Sequence, residues 1–286
     1  MLPSNKRRKH RFGTKIFMVA GITMLVFVPV AISRSQRDTV PNRAAIGELS
    51  ASTEAKAVAG ENIQSKSLRQ FSGKQFQELY ESLAMPNTEH LHAEPIITGN
   101  EQADQRIQQI AENRGYTLRS VPVLPIMKTN TPGLSDDDLL QPKAYDDWRK
   151  LEKAAQKANI PLKFNSGYRS VEWQRRYFLQ QLSARGATIP AIARGHADRI
   201  IESVLEVVAP PGYSRHHTGY AIDLICDDGS GRPFEFTKCF TWLSANNYAS
   251  AKKFGFIPSY PDKTDKQGPE PEPWEYVWVG TDATYQ

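Results

Sequence analysis

Apolar positions are unevenly spread along the 286-residue chain, and their spacing divides it into stretches of different character. The first is IFMVAGITMLVFVPVAI, seventeen residues without a charge over 16–32. At about 1.5 Å per residue, it is just long enough to cross a bilayer core of about 30 Å. Residues 33–67 then turn to Ala, Ser, Glu, Asn and Lys with no sustained apolar period, the composition of a flexible stalk. Helical spacing returns in SGKQFQELYESLAM, where Phe76, Leu79, Tyr80 and Leu83 share one face. A second helix is predicted in NEQADQRIQQIAENRGY, with Ile107 and Ile110 in phase and Gly115 as its stop. TLRSVPVLPI alternates like a strand, so 68–139 reads as a helix-and-strand extension.

From 140 to 286 the signals become dense. Pro142 opens a helix whose stripe is Tyr145, Trp148, Leu151 and Ala155. PLKFNSGYRS predicts a short strand and a turn at Gly167, and VEWQRRYFLQQLSARG a helix closed by Gly186. ADRIIESVLEVV is a third helix of this region, and GYSRHHTGYAIDLICDD is a loop feeding a strand. FTWLSANNYASAKKFGF reads as one last helix ending at Gly255, and EPWEYVWVG as the final strand. Helices and strands mix without strict βαβ alternation. That predicts an α+β fold, a small, mainly antiparallel sheet flanked by helices.

Charge changes this picture in one respect. The formal net charge is +5, yet eight of the 36 Lys and Arg lie in 1–37, where there is no acid, leaving 28 against 31 Asp and Glu. A nucleic-acid-binding face would keep its excess of cations in the folded part, so that class is set aside. Six cations precede the apolar block and two follow it, which orients 1–15 as a cytoplasmic tail and exports the rest. The block is expected to be an uncleaved membrane anchor. Ala31-Ile32-Ser33 leaves a cleaved signal peptide as the alternative, with the domain periplasmic or otherwise extracytoplasmic in both cases. An oxidising compartment would permit a bridge between Cys226 and Cys239, thirteen residues apart; two buried free thiols are the other reading.

Candidate chemistry collects late in the chain. Of the six histidines, His10, His90, His92 and His196 lie in polar or loop-like stretches, whereas His216 and His217 adjoin the strand YAIDL. There Ala221 and Asp223 share one face, and Tyr220, Ile222 and Leu224 the other. An aspartate in such a strand needs a partner: an arginine, a hydrogen-bond network, or a metal shared with His216. Near the end, Glu272 and Glu275 flank Trp274.

Three segments, in order, resemble the zinc D-Ala-D-Ala carboxypeptidase (VanY-like) family. SRHHTGYAID follows its S-x-H-x-x-G-x-A-x-D pattern at Ser214, His216, Gly219, Ala221 and Asp223. SGYRSVEWQ resembles its S-G-Y-R-S-x-x-x-Q segment from Ser166 to Gln174, and EPWEYVWVG its closing E-P-W-H-x-x-x-V-G segment. The resemblance implies that His216 and Asp223 are zinc ligands. It also implies that Glu272 is the general base and that Arg169 steadies the substrate carboxylate or the developing oxyanion. Ser166, Tyr168, Gln174 and Ser214 come with it as substrate-contact candidates, although Tyr168 and Trp274 read as packing rather than catalytic residues.

The family's third ligand is a histidine where this chain has Glu275. Glutamate binds zinc, but a second carboxylate weakens the Lewis acid and tilts the site towards manganese or other oxygen-preferring ions. Three readings stand: Glu275 binds the metal, His217 or His196 replaces it, or the metal is lost. The first predicts an exported metallo-carboxypeptidase acting on peptidoglycan stem peptides, D,D- or L,D-specific. The last predicts a catalytically silent peptidoglycan-binding or scaffold module.

Overall fold

The computed structural model of the protein describes residues 67–91, 93–123, 125–128 and 139–286. The basic tail, the expected membrane segment, the stalk up to residue 66 and His92 lie outside the described residues. Among those described, no helix is long and apolar enough to cross a membrane.

Helix α1 (Gly73–Glu81) begins with a capping box: Ser72 Oγ accepts from the Gln75 amide at 3.2 Å, and Gln75 Oε1 accepts from the Ser72 amide at 2.8 Å. It buries Phe76 and Tyr80. Strand β1 (Thr88–His90), helix α2 (Glu101–Asn113) and strand β2 (Ser120–Pro122) follow, with β1 and β2 antiparallel. The alternating run expected as a longer strand yields only three paired residues, followed by one further backbone bond from the Val123 amide to the Asn87 carbonyl at 3.0 Å. Strands β3 (Met127–Lys128) and β4 (Leu139–Leu140) make a second short pair.

Helix α3 (Pro142–Lys157) buries Trp148, Leu151 and Ala155 as its period predicts, together with Ala144. Strand β5 (Leu162–Ser166), helices α4 (Val171–Ala184), α5 (Ile189–Ala193) and α6 (Asp198–Leu205), and strand β6 (Ala221–Cys226) come next. Ser170 starts α4 by accepting from the Trp173 amide at 3.1 Å.

Helix α7 (Lys238–Lys252) departs from the single helix expected. Asn246, Asn247 and Tyr248 have φ of 52°, 58° and 60° and break it. The break turns the Asn247 amide onto the Phe71 backbone, accepting from its N–H at 3.0 Å and donating to its carbonyl at 2.7 Å. Strand β7 (Phe256–Tyr260) went unrecognised in sequence because Pro258 lies inside it. It sits at the sheet edge, where a missing amide hydrogen is tolerated. Strand β8 (Glu272–Trp278) and a last turn, α8 (Thr281–Thr284), complete the chain.

The main sheet is antiparallel throughout, in the order β5-β6-β8-β7. One face packs Phe164, Tyr220, Ile222, Leu224 and Tyr276 into a core shared with α3 and α7. Phe71, Phe76, Tyr80 and Met85 belong to the same core, so residues 71–85 are built into the domain. A second core gathers α2, α4, α5 and α6 around Ile107, Phe178, Ile201 and Leu205.

Two features tie distant segments together. Cys226 and Cys239 are bridged, closing the choice that the sequence left open. Arg215, only 1% exposed, lies between the Tyr80 and Tyr260 rings, its guanidinium carbon 4.1 and 4.3 Å from their centroids. Its charge is met by Glu81 at 3.3 Å, which also accepts two hydrogen bonds from Arg119, at 2.7 and 3.0 Å.

Glu81 is itself exposed, but Arg119 and Arg215 are buried, and removing their shared acid leaves that charge without a partner. Glu81→Ala is therefore expected to destabilise the fold by about 3 kcal/mol, read from the urea midpoint at constant slope. Reduction of the Cys226–Cys239 bridge is expected to cost a further ~3 kcal/mol by the same measurement, from the loop released in the unfolded chain.

Candidate metal centre and active site

The register of three strands assembles the site. Ser166 on β5 pairs with Asp223 on β6, and Asp223 pairs with Glu275 on β8. Cross-strand neighbours point to the same face, so these side chains meet opposite the core. Two irregularities make this possible. Between the pairs Phe164–Leu224 and Ser166–Asp223 the register shifts, which turns Ser166 from the core face occupied by Phe164 to the polar face. Between Pro258–Tyr276 and Tyr260–Glu272 it shifts again, with Pro273, Trp274 and Glu275 facing the single residue Ser259. Residues three apart on a regular strand point to opposite faces; the bulge brings Glu272 close enough to Glu275 for their carboxylates to influence each other.

His216 arrives from a single 3₁₀ turn over Arg215–Thr218. Ser214 caps that turn through the His216 amide at 3.3 Å, and Gly219 ends it at φ 74°, a conformation that glycine adopts freely. The Gly167 carbonyl lies 2.5 Å from Nδ1 and can only accept, so Nδ1 carries a hydrogen. That leaves Nε2 facing Glu275 Oε2 at 3.1 Å and Asp223 Oδ1 at 3.4 Å.

These three residues form a cluster whose ligand atoms all lie within 4.8 Å of one another. Ligands about 2.1 Å from a tetrahedral ion stand about 3.4 Å apart, close to both measured separations. Asp223 Oδ1 is buried and has no hydrogen-bond partner, an orphan acceptor aimed at the same point. The donor set therefore fits a divalent cation.

Electrostatics agree. Burial and the Arg169 charge push the His216 pKa down, but Asp223 and Glu275 outweigh them and raise it to about 9. Burial would raise both acids, yet His216 holds each below its ordinary value, helped at Asp223 by Arg169. Glu272 moves the other way: burial, then the charges of Glu275 and Asp223, push it well above the usual carboxylate range. The centre attracts positive charge, and the acid beside it binds a proton more readily than a free carboxylate.

The alternative third ligands do not reach this point. His217 is fully buried, with the Arg169 carbonyl 2.7 Å from Nδ1 and the Gly212 amide donating to Nε2 at 3.0 Å. Both nitrogens are engaged, and burial lowers its pKa to about 4. His196 is exposed near Asp198 and outside the cluster.

Arg169 pairs with Asp223 Oδ2 and donates to Ser166 Oγ at 2.8 Å, while 22% of its side chain stays exposed. Ser166 in turn donates to Asp223 Oδ2 at 2.7 Å. Gln174 donates to the Ala209 carbonyl at 2.7 Å. Ser166, Gln174 and Ser214, expected to touch substrate, each make a hydrogen bond within the protein. Tyr168 is half-buried, and burial raises its pKa. Trp274 is 38% exposed rather than packed. It shares with Asp223, Arg232 and Phe234 the wall of an open cleft of ≈ 380 Å³. Glu272 lines a second cavity, of ≈ 210 Å³, with Tyr248 and Tyr260. The contribution of Ser259 was missed, because an isolated serine in an unrecognised strand carries no signal.

The family model for VanY, D-alanyl-D-alanine carboxypeptidase, matches residues 137–281, and the chain belongs to this family. It is 36% identical over 122 residues to a D-alanyl-D-alanine carboxypeptidase of Enterococcus faecalis, covering 41% of this chain and 40% of the relative. It is 35% identical over 96 residues to one of Enterococcus faecium, covering 31% and 29%. The chain thus spans well under half the length of these curated relatives. Similar solved structures include the LdcB LD-carboxypeptidase, at 28% identity and TM-score 0.43 over 56% of this chain and 69% of that one. Another is a vancomycin-resistance D,D-pentapeptidase VanY in complex with Zn(II), at 27% identity and TM-score 0.43 over 57% and 84%.

Restoring the family's residue tests the position directly. Glu275→His is expected to retain or raise zinc affinity in a competition titration against a chromophoric chelator. A weaker site would place Glu275 away from the ion.

Proposed function

We propose that this protein is an exported, membrane-anchored metallo-carboxypeptidase that removes a terminal D-amino acid from peptidoglycan stem peptides. The observation that carries this reading is the convergence of His216, Asp223 and Glu275 beside Glu272, inside the region that matches the carboxypeptidase family. Export and anchoring rest on the basic and apolar stretches of 1–32. The Cys226–Cys239 bridge supports an oxidising compartment.

His216 Nε2, Asp223 and Glu275 would hold one divalent ion, zinc or an oxygen-preferring ion such as manganese, which supplies Lewis acidity and lowers the pKa of water at the site. The chain's own groups do the rest. Glu272, half-buried beside Glu275, is placed to take a proton from the attacking water and return it to the leaving amine. Ser166 and Arg169 fix Asp223 by hydrogen bonds to Oδ2, which leaves Oδ1 for the ion. The exposed part of Arg169 suits a free terminal carboxylate, which favours removal of a single residue over internal cleavage. D,D- and L,D-activity are equally compatible with these groups.

The glutamate at position 275 favours one rival reading, a wall-binding module without metal. It predicts intact affinity for stem peptides and no bound ion.

With the full chain, Glu272→Gln is expected to lower release of the terminal D-amino acid from a pentapeptide stem by about 10²–10⁴-fold while metal content per chain stays unchanged. Wild type that carries no metal and releases nothing with zinc or manganese added would falsify the enzyme reading.

A further inference from the structure

A glutamate in place of a histidine ligand raises a geometric problem. An imidazole offers one lone pair along a fixed ring axis, whereas a carboxylate offers two oxygens on a rotatable bond. Something must hold one oxygen aside. Ser259 does so: its Oγ donates to Glu275 Oε1 at 2.5 Å, leaving Oε2 at 3.1 Å from His216 Nε2. Ser259 is itself buried and faces the bulge in β8 that carries Glu275.

The direction of the hydroxyl is also set. Arg215 Nη1 donates to Ser259 Oγ at 3.3 Å and to the Ser259 carbonyl. A permanent cation occupies the acceptor side of the hydroxyl, so its hydrogen points to Glu275. Arg215 is held in turn between two tyrosine rings and by Glu81 of α1.

We propose that Ser259, oriented by Arg215, is the positioning residue that makes Glu275 a one-oxygen metal ligand, and that this pair is what lets glutamate stand where the family has histidine. The inference rests on the metal centre proposed above. It also gives residues 68–91 a functional role, because Glu81 anchors the arginine.

Zinc and manganese affinities of the full chain, measured by chelator competition, test this. Ser259→Ala keeps the carbonyl that Arg215 binds, so the fold is retained. It is expected to weaken both affinities by about tenfold. Ser259→Thr, which keeps the hydroxyl, is expected to stay within about twofold of wild type. In a Glu275→Ala background, Ser259→Ala is expected to change affinity by no more than about twofold, because its effect passes through the missing carboxylate. A merely structural serine would lower the melting temperature in both backgrounds and leave wild-type-background affinity unmoved, and that result overturns the proposal. Absence of metal binding by wild type removes the centre itself and the proposed function with it. Intact binding that is indifferent to Ser259→Ala removes this inference alone.

Discussion

Asp223 is a carboxylate in the middle of a buried strand, and its neutralisation is the constraint around which the polar face of the sheet is organised. A lone charge there would cost several kcal/mol, so each oxygen must be answered. Oδ2 is answered by Ser166 and Arg169, which come from the end of β5 and the turn before α4. Oδ1 faces His216 and has no hydrogen bond of its own. This asymmetry turns a structural liability into a candidate ligand. One oxygen is locked by protein and the other is presented to the point where His216 and Glu275 meet.

Strand irregularity does as much as residue identity. Regular pleating would send Ser166 into the core with Phe164 and would separate Glu272 from Glu275 across the sheet. Each register shift rotates one side chain to the polar face without loss of the ladder beyond it. The cost is a few unpaired backbone positions, and both fall at the site.

Second-layer support comes from far along the chain. The exposed Glu81 and the buried Arg119 and Arg215 form a charge group between α1, β2 and the loop carrying His216. The family match begins at 137, yet the core runs without a break into residues 71–85. Residues 71–85 are therefore a wall of the same domain, packed against the loop that presents the imidazole.

The chain by itself determined the helix periods, the α+β class, the family, and the candidates His216, Asp223, Glu272 and Glu275, because apolar spacing and short motifs are local properties. Tertiary structure decided the rest, because burial and register are relations between segments that no local pattern contains. It showed that β7 is a strand in spite of Pro258, that α7 breaks at Asn246, and that Cys226 is joined to Cys239. It placed both ring nitrogens of His217 on backbone groups, while its neighbour in sequence faces the carboxylates. Adjacent histidines look alike in a string of letters. Only the partners brought by other elements separate a candidate ligand from a structural hydrogen bond.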